Sequence, residues 1–171
     1  MSAQPKLNIA SIIGIKDGIY QVFALMDQNL DVYSKHPDND KFIKDCRGYI
    51  HQLDGLLEML NLTSTTVVTE KMEQLADALI FKKIEPSPAI FDALKQATKA
   101  LLFYLNELID GAEENALRLF PVYRELMQVY GYQNAPESDL FFPRLTGNPA
   151  LKPEAAQLDA TAARALAKKL A

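Results

Sequence analysis

The sequence has no tryptophan, one cysteine and two histidines among its 171 residues. A lone Cys46 cannot close an internal disulfide. With only His36 and His51 beside it, no cysteine-based zinc set can be assembled, so neither a metal nor another cofactor is expected. There are seven glycines, and no Asn-Gly or Asp-Gly pair lies between alternating apolar runs, so a hairpin-built sheet would lack its usual tight turns. No apolar run approaches the ~18 residues needed to cross a bilayer. The N-terminal MSAQPKLNIAS lacks the basic-then-apolar grammar of a secretory signal, so the expectation is a cytoplasmic protein without membrane insertion. An excess of basic charge is also missing: 18 Lys and Arg against 22 Asp and Glu give a net charge of −4. That field does not gather phosphate backbones, and nucleic acid is not an expected partner. A glycine-rich phosphate loop, a Gly-x-Ser-x-Gly elbow and a His-Glu-x-x-His pair are all absent from the sequence, which argues against a free-standing ATP-using or hydrolytic enzyme.

What the sequence does contain is helical periodicity. Residues 38–62 set Phe42, Ile43, Cys46, Ile50, Leu53, Leu57 and Leu60 at three- and four-residue steps, one apolar stripe along a helix that Asp38 or Asn39 can cap. Residues 64–83 repeat the pattern with Val68, Met72, Leu75, Ala76, Leu79 and Ile80, after a Thr63-Ser64 pair that offers an N-cap. Ser87-Pro88 predicts the start of a third helix, which runs through Phe91, Leu94, Ala97, Leu101, Leu105 and Leu108 to Asp110-Gly111. Upstream, Ile9 to Lys35 carries a further stripe, interrupted by Gly14 and Gly18, so helix is expected chiefly from Gly18 on. Glu113 to Tyr130 predicts another helix, kinked or split by Pro121 and ended by Gly131.

The expected architecture is all-α: an up-and-down helical bundle with a four-helix core and extra C-terminal helices. Its bundle spans residues 1–135, with Leu53, Leu57, Leu75, Leu79, Phe91, Leu101 and Leu105 buried. A proline-rich loop follows at 136–152, docked through Leu140, Phe141 and Phe142. An Ala-rich helix at 153–171 reaches the last residue without a C-cap, which suggests that the chain leads into further domains.

On the second helix, the 100° step between neighbours puts Lys44, Arg47, Gly48, Asp54, Gly55 and Glu58 within about 60° of His51, while Phe42, Cys46, Leu53, Leu57 and Leu60 of the apolar stripe lie more than about 110° away. His51 is therefore expected to face solvent. Gly48 and Gly55, each costing roughly 0.5–1 kcal/mol against alanine in a helix, strip side-chain bulk from both sides of one imidazole. Such an imidazole can be reached by another protein's active site, with Lys44 and Arg47 near enough to pair with a phosphoryl group. A lone histidine on a polar helix face is more often a solvated surface residue, and periodicity alone does not separate the two readings. His36, before Pro37 in a connection, reads as a turn residue, and Cys46 as a small buried hydrophobe.

The run Tyr49-Ile50-His51-Gln52-Leu53-Asp54-Gly55 resembles the His-x-x-Lys-Gly core of histidine phosphotransfer (Hpt) domains. The runs YIHQLDGLLEMLNL, EKMEQLADALI and ESDLFFPRL resemble the N-terminal region of ChpA/PilL-type, CheA-like hybrid histidine kinases of the type IV pilus chemosensory system. They are also similar to FimL-type twitching-motility scaffolds. The resemblance spans about Lys41 to Leu145. It implies an Hpt-like four-helix core with His51 as phosphoacceptor and a docking face of Lys44, Arg47, Gly48, Asp54, Gly55 and Glu58. The implied partners are a response-regulator receiver domain, a CheA-like kinase core and pilus-pathway scaffold proteins. Asp54 stands where the Hpt pattern has lysine. A carboxylate there opposes an incoming phosphoryl group by about 1–4 kcal/mol before screening, so labelling of His51 is expected to be slow and a non-phosphorylated, FimL-like scaffold is the alternative.

Overall fold

A computed structural model describes residues 9–140 of the chain. Its helices are α1 (Ile9–Lys35), α2 (Asp40–Met59), α3 (Thr63–Ile80), α4 (Pro88–Ile109) and α5 (Phe120–Tyr130), with 3-10 turns at Ala116–Leu119 and Glu137–Asp139. No strand occurs among the described residues. The protein is an all-α helical bundle.

The seven side chains expected in the core are all buried, Leu53, Leu57, Leu75, Leu101 and Leu105 almost completely. At roughly 1.5–3 kcal/mol for each large aliphatic group removed from water, this stripe-on-stripe packing is the main force closing the bundle. α2 lies between α1 and α3, and α1 also packs on α4. Paired side chains give the directions: Asp31 with Lys95 and Tyr20 with Asn106 join α1 and α4 in antiparallel register. Tyr33 meets Phe91 edge-to-face further along the same seam, with ring centroids 5.7 Å apart.

The seam between α3 and α4 is different. The two helices touch only sparsely, and α5 with its 3-10 lead-in packs against both. Among the described residues the core is thus a five-helix arrangement, with α5 filling the opening a closed four-helix ring would not have. Leu119, Tyr123, Leu126 and Met127 supply the buried face of this wedge.

Local signals act largely as anticipated. Asn39 caps α2, its side chain accepting from the Lys41 amide at 3.1 Å. Ser87 precedes α4 with Pro88 in its first turn, while Gly111 and Gly131 take φ of +93° and +106° at helix ends. Four details differ. α1 is helical from Ile9, because its buried stripe from Ile12 to Tyr33 outweighs the small cost of exposed Gly14 and Gly18. α3 begins at Thr63, and neither Thr63 nor Ser64 caps it; the buried Leu62 takes the N-cap position and its carbonyl accepts from the Thr65 amide and hydroxyl. Residues 113–115 are not helical, and the rest of the expected segment is split rather than kinked, into the 3-10 turn Ala116–Leu119 and α5, with Pro121 in the first turn of α5, where its missing N–H is harmless. Asp54 and Arg47, expected on the open face, turn toward α3 and are half-buried.

After Gly131 the chain folds back on α5: the Tyr123 hydroxyl donates to Asp139 at 2.5 Å and Leu140 is buried. Phe141, Phe142, the remainder of the 136–152 loop, residues 1–8 of the expected bundle and the expected 153–171 helix lie outside the described residues.

Candidate functional site

His51 sits in the middle of α2, whose apolar residues Ile43, Cys46, Ile50, Leu53 and Leu57 are buried. That anchoring fixes the rotation of the helix and turns the opposite face outward. The His51 side chain is 69% exposed, and Lys44, Gly48, Gly55 and Glu58 are exposed with it. A Cβ built on Gly48 or Gly55 would meet nothing within 4 Å. Internal packing therefore does not require either glycine, although each weakens the helix.

Arg47, His51 and Asp54 recur at four- and three-residue steps along α2, and Asp77, Glu73 and Thr69 recur at four-residue steps along α3. Because the helices run antiparallel, the two rows face each other. Arg47 reaches Asp77 through Nε at 3.2 Å and Glu73 through Nη2 at 2.7 Å. His51 Nδ1 lies 3.3 Å from the same Glu73 oxygen, Oε1. The Thr69 hydroxyl donates to Asp54 Oδ1. The result is a polar seam along the α2–α3 groove.

This seam changes the electrostatics of the histidine. Asp54 is engaged by Thr69 and drawn toward α3, so the carboxylate nearest the ring is Glu73, whose side chain is only 16% exposed. A carboxylate facing Nδ1 favours the tautomer with its proton on that nitrogen, leaving the lone pair on Nε2. Nε2 has no protein partner among the described residues. Lys44, two turns before His51, is exposed and makes no ion pair among the described residues.

Glu73 and its neighbours Thr69 and Asp77 are the site residues that α2 alone does not reveal. The four-residue spacing at the border of the α3 apolar stripe was the available signal, but its meaning depends on the register against α2. The remaining candidates behave as structural groups. His36 is exposed just past the end of α1. Cys46 is buried, its thiol pushed up to about 12 by burial, which leaves it protonated and unreactive. Among the described residues, no group of three or more His, Cys, Asp or Glu side chains is arranged to hold a metal ion, and no helix is long and apolar enough to cross a membrane.

The chain matches no protein-family model and no curated protein.

Proposed function

We propose that this protein is an Hpt-like signalling module, a helical bundle that offers His51 to partner proteins and accepts a phosphoryl group on Nε2. The observation that supports it best is an exposed imidazole with a carboxylate at Nδ1, on a helix face bared by two glycines that the fold does not need. In the reaction the Nε2 lone pair forms the N–P bond while the donor's bond to phosphorus breaks, its electron pair leaving with the donor. The ring becomes positively charged as this happens. Its Nδ1 proton faces Glu73, which stabilises that charge. The donor is a nucleoside triphosphate held by a separate CheA-like kinase core, and the onward acceptor is an aspartate of a receiver domain. Type IV pilus chemosensing is the setting that the sequence resemblance suggests, with pilus-pathway scaffold proteins as further partners.

A second reading, a FimL-like scaffold that docks partners without covalent chemistry, is favoured by one observation. Asp54 occupies the position of the Hpt lysine, while Arg47 is already bound to Glu73 and Asp77. Phosphoramidate, a small phosphoryl donor that needs no kinase, separates the two. Phosphorus NMR should find acid-labile phosphate on His51 forming faster than on His36, which is also exposed and serves as the internal standard, and His51→Gln should abolish the faster signal. Equal labelling of the two histidines would leave the scaffold.

A further inference from the structure

Glu73 Oε1 is shared by Arg47 Nη2 at 2.7 Å and His51 Nδ1 at 3.3 Å, so the guanidinium and the imidazole are no farther apart than these two contacts laid end to end. Arg47 lies one helical turn before His51 on the same face of α2, with its side chain 38% exposed. It carries two carboxylates on one positive charge: Glu73, mostly buried, and Asp77, whose side chain is 37% exposed. The Asp77 contact is the weaker, being longer and more open to solvent screening. A phosphoryl group on Nε2 would bring up to two negative charges and three acceptor oxygens to the ring whose other nitrogen shares Glu73 with this guanidinium.

We infer that Arg47 is the phosphoryl-binding cation of His51, held in readiness by Glu73 and Asp77, and that it exchanges Asp77 for the phosphoryl group when His51 is modified. This rests on the acceptor reading above. The exchange keeps the guanidinium doubly paired throughout and supplies the cation that Asp54 withholds. It also makes the modification felt between helices, because the α2–α3 bridge to Asp77 opens while that to Glu73 remains. Arg47 forms no bond to the reacting atoms' leaving group. Its part is to stabilise the charge delivered to Nε2.

The test compares the rate of phosphoramidate labelling at His51 with that at His36 in the full chain and in four variants. Arg47→Gln should lower the ratio roughly three- to tenfold, as expected for one partly exposed charge-assisted contact. Arg47→Lys should recover part of it. Asp77→Ala, which frees the guanidinium, should raise the ratio, whereas a merely structural bridge would give losses in both Arg47→Gln and Asp77→Ala. In the parent chain the Arg47 Nε–H resonance should move on labelling. Labelling of His51 with the ratio unchanged in all Arg47 and Asp77 variants, or falling in Asp77→Ala, overturns the exchange while the acceptor reading stands. A loss confined to Lys44→Gln would transfer the role to that lysine and also overturns it. If His51 in the parent chain labels no faster than His36, the acceptor reading fails and the inference with it.

Discussion

A glycine inside a helix loses backbone entropy that alanine would not, and at Gly48 and Gly55 nothing in the fold offsets the loss because the space beside each is open. Gly48→Ala with Gly55→Ala should together stabilise the protein by about 1–2 kcal/mol, read as a melting temperature several degrees higher. Phosphoramidate labelling of His51 should not change, since so small a donor needs no bare helix flank. A lower melting temperature would mean that the glycines serve the fold after all. Asp54 makes a separate prediction. Its carboxylate is held by Thr69, whose hydroxyl also lies 3.0 Å from the Thr66 carbonyl oxygen and so keeps an acceptor without Asp54. Asp54→Lys should therefore cost little stability while placing a cation one turn from His51, and labelling at His51 should rise against His36. At the far end of α3, Lys82 holds φ of +53° just past the helix, with its amide donating to the Leu79 carbonyl. A left-handed residue with a Cβ is strained by roughly 1–2 kcal/mol. Lys82→Gly, after the extra entropy glycine gains in the unfolded chain, should still stabilise by about 0.5–1 kcal/mol in chemical denaturation.

At the scale of the helices, what could be read in advance was what repeats along one element. The stripe Ile43, Cys46, Ile50, Leu53 and Leu57 determines which side of α2 is covered, because an apolar row at helical spacing gains nothing until another row covers it. The same rotation exposes His51. Leu57→Ala should accordingly cost about 2–5 kcal/mol, lowering the denaturant midpoint with little change in its slope. A midpoint near that of the parent chain would contradict the packing of α2. The seam was not legible in this way. Arg47 and His51 are on one helix and Glu73 and Asp77 on another, and which of many polar side chains meet depends on a register set by the buried residues of both. The same holds for α5: nothing in its own periodicity says that it fills the space between α3 and α4. Pro121 marks an interruption in the sequence, but its effect depends on where the helix starts: with α5 beginning at Phe120 the proline stands in the first turn and the residues before it form a separate 3-10 turn.

For the molecule as a whole, three buried tyrosines sit where different helices are joined. Tyr33 packs on Phe91 between α1 and α4, Tyr104 accepts the Asn115 amide at 3.0 Å beside the turn into α5, and Tyr123 ties α5 to the returning chain through Asp139. Burial raises the pKa of all three, with Asp40 adding to the effect at Tyr33 and Asp139 at Tyr123. Tyrosines of the unfolded chain ionise near pH 10. Between that pH and the higher values at which the folded tyrosines ionise, the native state holds more protons than the unfolded one, so stability must fall as pH rises. Below pH 10 their contribution is fully present. The prediction is a denaturant midpoint insensitive to these groups from pH 7 to 9 and declining steeply above pH 10. Tyr33→Phe provides the cleanest check, because the ring keeps its edge-to-face contact with Phe91 and no hydrogen bond of its hydroxyl occurs among the described residues. That variant should match the parent at neutral pH and lose stability less steeply above pH 10. Tyr123→Phe should start lower, having lost the bond to Asp139, and likewise decline more gently. If both variants kept the parent's slope above pH 10, the alkaline loss would have to come from groups other than the tyrosines that join the helices.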